Sequence, residues 1–148
     1  MRRKRQRGSA LIELVLVVTV LSIVILGSID FGRIAYMAMA LTNAARAGAM
    51  VGSQSASDSN NFTAMRNAAS ASASADIGAI TASATRSCEC DVGGVVTVMA
   101  NCPPTGVCAG VVRIRVSVTA SKTFNMLAPF RGLPSSVNLS RTAIMRAQ

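Results

Sequence analysis

The sequence predicts an α+β protein, in which a long amino-terminal helix crosses a membrane and continues into a small domain with a second helix and an antiparallel sheet. Three observations predict it. The run from Ala10 to Ile29 is apolar apart from Glu13. Beyond it, Ile34, Met37, Leu41, Ala44, Gly48 and Val51 recur at spacings of three and four, one stripe of a continuing helix. Later in the chain the period changes to two, as in the alternating stretch from Val111 to Thr119. A long helix laid on a small antiparallel sheet gives the α+β class. The chain divides into a basic segment over 1–8, a helix over 9–51 and an outer domain over 52–148.

The basic segment comes first. The formal charge is +9, and five of the fifteen basic residues, Arg2, Arg3, Lys4, Arg5 and Arg7, crowd ahead of the apolar run. Such a cluster is a topology signal that holds the amino terminus in the cytoplasm. Without those eight residues, ten basic and six acidic side chains remain. That balance is no footprint for a nucleic acid, and with Trp absent and four Phe and one Tyr there is no platform for stacking bases. Histidine is absent, which removes the commonest general base and metal ligand. No enzyme activity, metal or cofactor is expected.

The twenty residues from Ala10 to Ile29 span roughly 30 Å at about 1.5 Å per residue, the thickness of a bilayer's hydrocarbon core. A secretory signal peptide would end its apolar core close to a cleavage site, but Ala38-Met39-Ala40 lies beyond Asp30 and Arg33. A lipoprotein needs an early cysteine, and the first is Cys88. Twin-arginine export has only Arg2-Arg3 in its favour. A prepilin-type leader fits the order of residues best. A membrane-embedded peptidase would cut after Gly8, leaving Ser9 as the new amino terminus and Glu13 as the fifth residue. Glu13, a carboxylate within a spanning helix, marks either a group reaching the interface or a function. In a helical assembly it would pair with the freed amine of Ser9 on a neighbouring subunit, where burial strengthens a matched pair and penalises a wrong register.

Asp30 and Arg33, three apart, face one side of the helix and are placed to pair just outside the membrane. Small residues at Ala44, Ala45, Ala47, Gly48 and Ala49 permit close approach, to the protein's own sheet or to a partner helix. Gly52 to Asn61 reads as a surface loop. Phe62 to Ala75 reads as a second helix, capped by Asn60 or Asn61, with Phe62, Met65 and Ala69 on its inner face.

Strands are predicted at Val95–Met99, Val111–Thr119 and Val137–Met145, the last turning Val137, Leu139, Arg141, Ala143 and Met145 toward a core. Cys88 and Cys90 are expected before the first of these, and Cys102-Pro103-Pro104 and Cys108 in the loop after it. Four cysteines allow three pairings. A bridge between Cys88 and Cys90 is cramped, so each is expected to join Cys102 or Cys108. Cys-x-Cys with a five-residue gap fits zinc poorly, and without Cys-x-x-Cys a redox pair is not expected. Glu89 and Asp91 are expected in a solvated loop.

Four segments together resemble the TadE-like pseudopilins of the tight-adherence (Flp) pilus. They are Gly8-Ser9-Ala10-Leu11-Ile12-Glu13-Leu14, Asp30-Phe31-Gly32-Arg33, Asn43-Ala44-Ala45-Arg46-Ala47-Gly48-Ala49 and the tail Ser140-Arg141-Thr142-Ala143-Ile144-Met145-Arg146. The resemblance covers chiefly the first third of the chain, and the cysteine-containing middle matches no family pattern. Major Flp pilins are shorter and carry Glu-Tyr where this chain has Glu13-Leu14. The resemblance implies a minor pilin or pseudopilin, cleaved by the prepilin peptidase, whose partners are other pilins or pseudopilins and the assembly platform. It places Asp30, Arg33, Arg46 and Gly48 at the helix interface. It implies a bacterial inner membrane location, with the domain periplasmic or extracellular, in the membrane or in the pilus. The alternative reading is an unprocessed single-pass scaffold or ligand-binding module.

Overall fold

A computed structural model describes residues 6–99, 102, 108–127, 132 and 134–147. Arg2, Arg3, Lys4 and Arg5 of the basic segment, and Pro103 and Pro104 of the cysteine loop, lie outside the described residues. In chain order the elements are helix α1 (Gln6–Ser53), a 3₁₀ turn (Asp58–Asn60), helix α2 (Phe62–Ser74) and strands β1 (Thr81–Val92), β2 (Val95–Met99), β3 (Val111–Asn125) and β4 (Ser136–Arg146). The fold is α+β, as its sequence predicts.

Helix α1 has 48 residues, about 70 Å of helix at 1.5 Å per residue. Its two halves meet different surroundings. From Ser9 to Ile29 every side chain is exposed, and it is the one helix among the described residues long and apolar enough to cross a bilayer. The second half packs on the sheet through Ala40, Leu41, Ala44, Ala45 and Ala49, all buried.

The sheet runs β2-β1-β3-β4, antiparallel throughout. Side chains alternate across it, so the even-numbered residues of β1 and β3 share one face and the odd-numbered ones the other. Both helices cover the even face. One core cluster joins Leu41, Ala44, Ala45, Ala73 and Ala120, and the other joins Ala49, Met65, Ala69, Val116 and Val118. Alanine removes little apolar area from water, so this core gains from close approach instead. At Gly48 a Cβ would meet the Met65 carbonyl oxygen at 2.7 Å and Val118 Cγ1 at 2.9 Å. The small-residue stretch of α1 therefore packs on the protein's own α2 and sheet.

Several expectations need correction. Cys88, Glu89, Cys90 and Asp91 lie inside β1, not in a loop ahead of the first strand. This strand was not evident because its inward residues begin as Ala82 and Ala84, poor markers of a strand. The β1–β2 turn did carry a signal: Gly93 (φ 59°) and Gly94 (φ 89°) form the two-residue hairpin that Gly-Gly between valines favours. Strand β3 continues past Thr119 to Asn125. On α2 the buried row is Met65, Ala69 and Ala73, while Phe62 at the first turn stays exposed. Asn61 is the cap, its side chain accepting from Ala64 N at 3.0 Å. Helix α1 runs through Gly52 to Ser53, and the rest of the expected loop contains the 3₁₀ turn with Ser59 buried, its hydroxyl donating to the Ala56 carbonyl at 2.6 Å.

Candidate functional site

The amino-terminal half of α1 presents the chemistry that sequence reading singled out. The Gly8–Ser9 bond lies within the first turns of the helix. Glycine in a helix is destabilising by roughly 0.5–1 kcal/mol relative to alanine, which weakens the helix locally at this bond. Glu13 follows one turn later, exposed, with no hydrogen-bond or ion-pair partner among the described residues. Thr19, Ser22 and Ser28 turn their hydroxyls back to the carbonyls of Val15, Val18 and Val24 at 2.7–2.8 Å. Internal bonds of this kind suit an apolar environment, which offers no water to these groups. Glu13 alone of this stretch keeps an unmet charge.

At the other end of the apolar run, Asp30 is 8% exposed and fastens the helix to the sheet. Its Oδ1 accepts from Arg33 Nη1 at 3.0 Å, and its two oxygens accept from the Leu127 backbone N–H at 3.3 and 3.1 Å. Arg33 also stacks over the buried Phe124 ring, its guanidinium carbon 4.9 Å from the centroid. Sequence reading found the Asp30–Arg33 pair because i,i+3 spacing is local. It missed Leu127 and Phe124, since a backbone donor 97 residues away has no sequence signature.

Among the residues grouped as a helix interface, Gly48 is buried against α2 and β3, whereas Arg46 is exposed. Arg46 instead lines a groove with Arg141. In the outer part of the sheet the sulfurs of Cys88 and Cys102, and of Cys90 and Cys108, are joined, with Cα separations of 5.0 and 5.8 Å. Between them on the opposite face, Glu89 pairs with Arg115, and Asp91 pairs with Arg113 at 3.1 Å. These carboxylates are diagonal cross-strand partners, not the solvated loop expected. Among the described residues no group of cysteine or carboxylate side chains is placed to hold a metal ion.

A long exposed apolar helix bearing a small disulfide-linked domain is consistent with a single-pass membrane protein. Over residues 8–50 the chain matches the family model described as TadE-like protein. The match spans the Gly8–Ser9 bond, Glu13, the Asp30–Arg33 pair, Arg46 and Gly48, and it leaves out the sheet, the cysteines and the Ser140–Arg146 tail. No curated protein and no solved structure matches the chain. The family match suggests a part in assembly of the Tad pilus.

Proposed function

We propose that this chain is a minor pilin or pseudopilin of a tight-adherence pilus, cut after Gly8 by a prepilin peptidase and then recruited to the assembling filament or its anchor. In this reading the basic segment stays in the cytoplasm, α1 crosses the inner membrane and the disulfide-linked domain stands outside. An oxidising compartment on that side suits the four cysteines. Cleavage frees the amine of Ser9 one turn before Glu13, and the two charges then pair between neighbouring subunits. The other pilins and the assembly platform supply the surfaces that the exposed half of α1 lacks.

The observation that carries this reading is Glu13. It is a carboxylate with no partner among the described residues, on an apolar helix whose hydroxyls are met internally, within the family-matched residues. A charge in that position is unfavourable in lipid unless a partner compensates it. Glu13→Gln removes the charge and keeps the shape. The substitution is predicted to leave membrane insertion and cleavage intact while pili, counted by shearing or microscopy, fall several-fold. Normal piliation by Glu13→Gln would remove the pairing from the account.

A further inference from the structure

Arg46 and Arg141 are 95 positions apart in sequence, yet the fold sets them along one groove. Arg46 projects from α1. Arg141 stands on the helix-facing row of β4, opposite the buried Ala120 of β3. With Ala38, Met39, Thr42 and Asn43 they line an open groove of about 400 Å³. Both guanidiniums are exposed, and neither has an acidic partner among the described residues. Arg141 Nη1 donates to the carbonyl of Ser140 at 3.0 Å, which leaves most of its donors open. The domain's carboxylates are mostly engaged elsewhere: Asp30 with Arg33 and Leu127, Glu89 with Arg115, Asp91 with Arg113, and Asp58 with the Ser55 hydroxyl. The groove therefore concentrates positive charge that the fold itself does not neutralise.

We infer that this groove receives acidic side chains of a partner protein in the assembly, with Arg46 and Arg141 as a two-armed clamp for carboxylate. Guanidinium suits the task because its planar fork bonds a carboxylate through two parallel N–H groups. Asn43, exposed beside them, adds an amide donor. A lipid phosphate carries the same charge but lies at the wrong height. The inference rests on the proposed topology, in which the span ends near Ile29, and Arg46 then stands about 25 Å further along the helix. The headgroup layer is only roughly 5–8 Å thick on each side. Strand β4 lies at the edge of the sheet, and among the described residues no further strand obstructs the approach to the groove.

The test uses the full chain in nanodiscs of phosphatidylcholine, with a fluorescent deca-glutamate peptide as the probe. Binding should be saturable and weaken by about tenfold or more in Arg46→Glu and in Arg141→Glu, and it should fall as salt is raised. Arg46→Gln and Arg141→Gln, which place no new charge against the fold, should lose binding in the same direction, while Lys at either position, which keeps the charge but not the planar fork, retains only part of it. Arg66→Gln, an exposed arginine on α2, serves as the control and should bind like the parent. Equal binding by the parent and both glutamine variants overturns the proposal. So does an effect of those variants confined to the protein's own retention by phosphatidylglycerol vesicles, which assigns the arginines to lipid. Neither peptidase nor pilus enters this assay, so its failure is distinguishable from a failure of the pilus reading.

Discussion

At the scale of single residues, Asp30 and Glu13 show how the same side-chain chemistry serves opposite ends of one helical run. Asp30 is satisfied within the chain, by a guanidinium and a backbone N–H of the β3–β4 connection. Glu13 is not. Replacing Asp30 by Ala strands the Leu127 N–H in a partly buried position and frees Arg33. A hydrogen bond to a charged group contributes about 1.5–3 kcal/mol. Asp30→Ala is therefore predicted to unfold the domain at lower denaturant than the parent, with early proteolysis in the β3–β4 connection. An unchanged midpoint and an unchanged cleavage pattern would remove the junction from the account. The i,i+3 half of this junction was legible in sequence, and so was Glu13 as an isolated charge. The Leu127 half was not, because closing it requires the register of β3 to bring a distant backbone donor to the helix. Gly48 was legible as a small residue, but only the fold shows that its neighbours are Met65 and Val118 of the same chain.

Among the elements, β1 is where local pattern and tertiary structure diverge most. Thr81 to Arg86 contains no large apolar residue, and it becomes a strand because β3 pairs along it, while β2 pairs only with the later part of β1, Cys88 to Val92. The strands with valine alternation were legible, and β1 between them was not. The disulfides belong to the same argument. A sheet that packs largely through alanine against its helices gains little per residue from burial, and Cys88–Cys102 and Cys90–Cys108 tie its outer end together. Their sequence separations are 14 and 18 residues, for which a cross-link is worth about 2–4 kcal/mol through the unfolded chain. The paired substitution Cys90→Ser with Cys108→Ser is predicted to lower the free energy of unfolding by that amount and leave the α1–α2 contacts intact. Peptide mapping without reduction checks the pairing in the parent. Recovery of a Cys88–Cys108 peptide would contradict it.

For the whole molecule, the architecture separates two tasks along one helix. The carboxy-terminal half of α1 is structural, buried under its own domain. The amino-terminal half is exposed and apolar, so it requires a bilayer or other helices around it. The division falls at Asp30 and is readable in the sequence, where a continuous apolar run gives way to a single amphipathic stripe. What the sequence left open was whether the small-residue stretch faces a partner or the domain; shape complementarity at Gly48 assigns it to the domain. The Arg46–Arg141 groove was equally hidden, since its two arginines meet only when β4 pairs beside β3. The central claim is that the basic segment orients the helix and is then removed, releasing a helix that begins at Ser9. The most direct measurement is intact and peptide mass spectrometry of the protein purified from a host that expresses its prepilin peptidase. The expected amino terminus is Ser9; a protein that begins at Met1, or at Leu41 after Ala38-Met39-Ala40, would rule out cleavage after Gly8.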